Sequence, residues 1–175
     1  MATTIDGSAS VTINNGAVLG ITSGTMVATT SGTSVNYTDI PSWVKRITVM
    51  FDSVSTNGTS NYLIQLGDSG GIETTGYVSS SAYLNTSADM VVSTAGFILN
   101  AVSASSSYSG TIVLTLMDSA TNKWTAFGGI GWYPSLPVVL TTGAKSLSAT
   151  LDRIRITTVI GTNTFDAGSI NILYE

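Results

Sequence analysis

The sequence predicts an all-β fold: an antiparallel, jelly-roll-like β-sandwich preceded by an extended N-terminal arm. Three observations carry this. Apolar and polar residues alternate with a period of two at 46–51, 62–66, 111–117 and 169–174, the mark of strands with one face in a core. Turn residues punctuate the chain at close spacing, and no 3.6-residue period runs through it. Hydroxyls replace charges, with 27 Thr and 25 Ser beside only 9% charged residues, where about 25% is usual. Thr suits a pleated, half-exposed surface. At 175 residues the chain is long enough for one domain with a real core and short for two. The expected division is an arm or anchor at 1–34 and a sandwich at 35–175.

In the arm, Val11 and Ile13 share one strand face, Asn14-Asn15-Gly16 is a turn signal, and Val18-Leu19-Gly20-Ile21 follows. Two readings stand. Val11, Ile13, Val18, Leu19 and Ile21 pack on a neighbouring subunit or on a host structure as an anchor, or the segment is a frayed end or edge strand of the same sandwich.

The centre is PSWVKRITVMFDSVSTNGTSNYLIQLGDSGGIETTGY, residues 41–77. Ile47, Val49 and Phe51 share one strand face, and Tyr62, Ile64 and Leu66 another. Asn57-Gly58 tolerates the positive φ of a tight turn, which joins the two strands as a hairpin. Trp43 reads as a core or corner residue. Beyond it, 78–89 reads as a loop with a short strand, MVVS and GFILNAV as two strands, and 103–110 as a serine-rich loop. TIVLTLM and KWTAF form an antiparallel pair across Asp118–Asn122. Residues 128–137, GGIGWYPSLP, have no period and read as a loop, followed by a short apolar strand at 138–142. Ser146–Val159 alternates, with Ile154 and Ile156 on one face. After a turn at Gly161-Thr162-Asn163, the last strand carries Ile170, Ile172 and Tyr174 on one face.

Composition excludes several functions. A net charge of −4 and scattered basic residues leave no patch for nucleic acid. There is no histidine or cysteine, so Ser-His-Asp and Cys-His relays, thiolate chemistry and disulfides are out. No GxxxxGK[ST] loop occurs, and no metal or cofactor is expected. The N-terminus lacks the charged start and apolar core of a secretory signal, and no apolar run reaches spanning length. The expectation is a protein made in the cytoplasm that does not insert into a membrane. Paired carboxylates remain the one catalytic option, with Asp68 and Glu73, or Asp152 and Asp166, as candidates. Beside Gly and Ser these acids read as turn residues, and the chain reads as a non-enzyme. The N-x-[ST] triplets at Asn36, Asn57 and Asn85 are no more than a Ser/Thr-rich chain yields by chance.

Trp124 begins a strand and reads as core. For Trp132 and Tyr133 two readings stay open: a loop platform on which a sugar ring or protein partner stacks, or packing beneath their own loop.

The phrases SGTSVNYTDIPSWVKRITVMF, STNGTSNYLIQLGDSGGIETTGY, TLMDSATNKW and LSATLDRIRITTVIGTNTFDAGSINILYE resemble the C-terminal β-sandwich domain of phage tail-fibre and related virion structural proteins. The resemblance covers residues 31–175, with FDAGSINILYE its most distinctive part, and is weakest at 78–109 and 126–143. It implies a module on the virion surface that attaches to other virion proteins and to a host surface glycan or protein, assembled as a homotrimer. It supplies no catalytic residue. A rival in the same setting is a capsid decoration protein, a cement or head fibre gripping the shell through residues 1–34, since barely thirty residues precede the domain. A third, from another class, is a carbohydrate-active enzyme using Asp68 and Glu73.

Overall fold

The computed structural model describes residues 12–13, 16–17, 20–84, 89–101, 103–134 and 137–175. Among them every element is a strand: β1 (Thr12–Ile13), β2 (Gly16–Ala17), β3 (Thr22–Ser23), β4 (Val27–Ala28), β5 (Val35–Tyr37), β6 (Arg46–Thr56), β7 (Tyr62–Asp68), β8 (Gly71–Ile72), β9 (Tyr77–Leu84), β10 (Asp89–Ser93), β11 (Phe97–Leu99), β12 (Ser107–Asp118), β13 (Lys123–Tyr133), β14 (Val138–Ser146), β15 (Arg153–Thr158) and β16 (Phe165–Tyr174). Two antiparallel sheets pack as a β-sandwich. The large one runs β10-β9-β14-β13-β12-β6-β16-β3, with β4 also on β16; the small one runs β11-β7-β15-β5, with β8 also on β7. Strands β1 and β2 pair with each other.

The alternating sets read from the sequence point into the core between the sheets. Ile47, Val49 and Phe51 of β6, with Ile170 and Ile172 of the neighbouring β16, face Ile64 and Leu66 of β7 and Ile154 and Ile156 of β15 across the core, all buried. Trp124 is buried, and Trp43 packs half-buried with its ring 5.9 Å from that of Tyr174. Val54 is also buried, three residues after Phe51, a spacing that strict alternation forbids. A bulge resolves this. Ser53 has φ 54 and Gly168 on β16 has φ 88, and the pairing of β6 with β16 shifts register there. A Cβ on Gly168 would lie 2.4 Å from the Ser53 carbonyl, so only glycine lets the two backbones approach.

The pairing of β6 with β7 is a correction. They do not form a hairpin: β6 pairs with β12 and β16, β7 with β15, β11 and β8. The chain crosses from one layer to the other between them. Asn57 and Gly58 do not have positive φ. Asn57 instead accepts the Thr164 N–H on its side-chain oxygen at 2.9 Å, and Gly58 leaves room for the Asn163 side chain, which a Cβ would meet at 2.2 Å. Apolar residues at every second position look the same in sequence whether two successive strands pair edge to edge or stack face to face.

Residues 20–34 are also part of the sandwich. Gly24 and Thr29 donate backbone hydrogen bonds to Ile172 and Gly168, Phe165 donates one to Gly32, and the buried Thr29 hydroxyl donates to the Ala167 carbonyl at 2.7 Å. Of the two readings of the N-terminal segment, this stretch follows the edge-strand one. Ile21 is exposed. Val11, Val18 and Leu19 lie outside the described residues, and of Ile13 only its place in β1 is described.

Three segments read as loops are strands. Residues 77–84 form β9, paired on both sides; 107–118 form one strand, β12; and 123–133 run straight through the glycines as β13. Serine and glycine at these positions carry weak β preference, and long-range pairing overrides it.

Candidate interaction face

The reason β9 looks like a loop is also what makes it informative: its polarity is inverted. Tyr77, Ser79, Ser81 and Tyr83 face inward, while Val78, Ser80, Ala82 and Leu84 face solvent. The inward serines have a structural task. Strand β11 ends the small sheet, and its free edge abuts the inner surface of the large one. The Ser79 hydroxyl accepts the Ile98 N–H at 3.0 Å and that of Ser81 accepts the Asn100 N–H at 3.1 Å. Thr141 on β14 donates its hydroxyl to the Ile98 carbonyl at 2.9 Å. Side-chain hydroxyls thus stand in for the missing ladder partner of β11, a burial that would otherwise leave its backbone groups unsatisfied.

The outer surface above them is apolar. Neighbouring outward residues follow from the register: Met90 lies beside Ala82, Ala82 beside Leu140, and Leu140 beside Gly129; one row along come Val92, Ser80, Thr142 and Phe127. Leu84 pairs with Val138, and Tyr133 ends the same face of β13. Val78 is 76% exposed, Val92 74%, Met90 69%, Tyr133 67% and Phe127 66%. These side chains, with Leu84, Val138 and Leu140, present roughly 800 Å², about what one partner contributes to a standard interface. The outward positions at 78–84, 90–92, 127–133 and 138–144 carry no charged side chain. Further across the sheet the outward face becomes mixed, with Thr111, Thr115 and Thr48 beside Val113, Met117, Met50 and Arg46. Among the described residues β10 has no strand on its outer side, and it carries one charge, Asp89, with no Lys, Pro or bulge to guard it.

Trp132 and Tyr133 do not form a common platform. Adjacent residues on a strand point to opposite faces. Trp132 turns inward, 5.9 Å from the Tyr83 ring and 6.0 Å from that of Tyr108, and packs half-buried against the core. Tyr133 alone belongs to the outer face.

The carboxylate candidates divide. Asp68 and Glu73 come together around Ser148, whose hydroxyl oxygen lies 2.6 Å from Asp68 Oδ2 and 2.8 Å from Glu73 Oε1 and shares its one proton between them, while its N–H donates to Glu73 at 2.7 Å. Glu73 also pairs with Lys145, a buried ammonium lying 5.3 Å from the Tyr77 ring centre. The Ser148 hydroxyl and then the Gly70 N–H hold the Asp68 carboxyl below its ordinary range. Burial works to raise Glu73, but Lys145 and Ser148 outweigh it and the carboxyl is lowered too. A general acid needs a raised value; here both groups are held ionised and bonded, bridging β14 to the β8 side of the small sheet. Asp152 and Asp166 are not brought together: Asp152 forms an ion pair with Arg153, and Asp166 accepts a hydrogen bond from Ser55. Among the described residues no group of three or more acids, His or Cys could hold a metal ion.

The fold and this face define a class, an all-β sandwich whose large sheet carries an apolar, uncharged outward patch on β10, β9, β14 and residues 127–133 of β13. No family model, no curated protein and no solved structure matches the chain.

Proposed function

We propose that this chain is a structural module of a bacteriophage virion, displayed on the particle surface as a tail-fibre or receptor-binding-type β-sandwich, and that it works by contact rather than catalysis. The observation that carries the contact role is the apolar, uncharged outward patch on β10, β9, β14 and residues 127–133 of β13, at an edge strand without Lys, Pro or bulge. In a chain so poor in charge, a surface of that extent is costly to leave in water and marks a place where a subunit or another protein sits. Lowered carboxyls at Asp68 and Glu73 favour a structural cluster over a glycosidase pair. The virion setting rests on the sequence phrases at 31–51, 55–77, 115–124 and 147–175, as does a trimer as the assembly.

The experiment has two arms. Gold-labelled antibody on intact particles reports where the protein sits: decoration of tail tips supports the proposal, decoration of the head shell supports capsid decoration, and no decoration overturns the virion reading. Light scattering of the purified chain reports assembly. An oligomer that Phe127→Asp with Val92→Asp converts to folded monomer supports the face; an oligomer that survives both changes places the contact elsewhere.

A further inference from the structure

The other outer surface of the sandwich, on the small sheet, holds a groove of about 330 Å³ between β7, β15 and the loops at 33–34, 74, 95 and 159–161. That is the lower end of the size range of small-ligand sites. Its chemistry is mixed in a specific way. Leu63 and Gln65 lie deep in it, 2% and 4% exposed, although both face away from the core. Thr33, Ser34, Thr74 and Thr157 line it with hydroxyls, and the exposed Val159 and Ile160 form an apolar lip. One charged residue lines it, Arg155.

Arg155 is held in place by uncharged partners. Its Nε donates to Gln65 Oε1 at 2.8 Å, and Gln65 Nε2 donates in turn to the Ala95 carbonyl at 2.8 Å. This relay uses one of the five guanidinium N–H groups and fixes the plane of the head group. Among the described residues no carboxylate takes up the Nη edge. Arg46, Lys145 and Arg153 each pair with an acid, whereas Arg155 forms no ion pair among the described residues. A guanidinium oriented by a buried amide, beside hydroxyls and an apolar lip, suits a planar anion carried on a polyhydroxy ring.

We infer that this groove binds the carboxylate of an acidic saccharide, such as a uronic acid, with the Arg155 Nη edge on the carboxylate, the threonine and serine hydroxyls on the ring hydroxyls, and Val159 and Ile160 against the ring's C–H face. The inference rests on the surface-contact reading above and names the ligand class for it. The Arg155 carboxylate contact sets the charge preference, and the short groove accepts one sugar unit rather than an extended chain.

The test is an NMR titration of the isotope-labelled full chain with three probes at matched ionic strength: methyl glucuronoside, methyl glucoside and inorganic sulfate. The expected result is saturable shifts of the Gln65, Arg155 and Thr157 amides with the glucuronoside, and binding of the glucoside and sulfate weaker by about tenfold or more, the loss expected for one charge-assisted hydrogen-bond pair. Arg155→Gln should abolish the preference for the uronic acid. Arg155→Lys, which keeps the charge but neither the fork nor the bond to Gln65, should weaken it about tenfold. Unchanged spectra away from β7 and β15 show that each variant folds. Equal binding of glucoside and glucuronoside overturns the inference, as does equal binding of sulfate (an anion site only), or no saturable shift with any probe. The titration needs no particle. Uronic acid binding by a chain absent from virions would sink the proposed function and leave the groove standing; a chain labelled on particles with a silent groove would do the reverse.

Discussion

Tyr77 ties the two sheets together, and removing a single oxygen from it should be expensive. On one edge of β7 the ladder has a gap: β11 pairs as far as Ile64 and β8 begins at Gly67. The Tyr77 hydroxyl, coming from β9 in the opposite sheet, fills that gap. It accepts the Leu66 N–H at 2.7 Å and lies 3.3 Å from the Leu66 carbonyl and 3.1 Å from that of Glu73. Tyr77 is 1% exposed, so burial first of all pushes its hydroxyl pKa well up and it stays protonated. Tyr77→Phe keeps the ring, its edge contact with Phe97 at 5.2 Å and the Lys145 ammonium beside it. Only the hydroxyl goes, and the Leu66 donor is left buried without its acceptor. That costs about 1–3 kcal/mol. In a domain of this size each kcal/mol moves Tm by roughly 2–4 °C. Urea denaturation should show a lowered midpoint with an unchanged slope, and hydrogen exchange at the Leu66 amide should accelerate. A loss below about 0.5 kcal/mol, within the range of ordinary surface changes, with Leu66 exchange unaltered, would refute the argument.

Truncation separates the two readings of the N-terminal segment. A chain starting at residue 20 keeps β3, β4 and the Thr29 contacts; one starting at 35 loses them, and at about 1 kcal/mol per hydrogen bond should be less stable by on the order of 3 kcal/mol in the same urea assay. Equal stability of the two would show that β3 and β4 contribute nothing. Acid should weaken the Asp68–Ser148–Glu73 cluster. Both carboxyls are lowered on folding from ordinary values of 3.8 and 4.5, so their contribution is full above about pH 4.5 and is lost as pH falls through the lower folded-state values. Ser148→Ala should flatten that acid limb in a pH series of unfolding curves, and an unchanged limb would mean the cluster carries no pH linkage. Trp132→Ala should destabilise by about 3 kcal/mol, the low end for a packed aromatic because the ring is half-buried, whereas Tyr133→Ala should leave the stability within about 0.5 kcal/mol and weaken only assembly or attachment. The opposite pattern would reverse the assignment of faces.

What the sequence alone determined is local. Period two at 46–51, 111–117, 153–158 and 169–174, with turn residues between, defined strands, the residues sharing a face, the β12–β13 pair and a core place for Trp124, because side-chain alternation is a property of each strand by itself. Only the tertiary structure decided which sheet a strand joins and which face is inside. β6 and β7 both carry core-facing apolar residues at every second position yet lie in different layers. In β9 and β14 polar residues turn inward, because Ser79, Ser81 and Thr141 must bond the free edge of β11, and that need arises only once the two sheets meet. Trp132 and Tyr133, adjacent in the chain, part to opposite faces once a strand runs through them. Arg155 and Gln65 meet across β15 and β7, 90 residues apart. Pairing at that separation is set by the closure of the whole sandwich, and no local pattern encodes it.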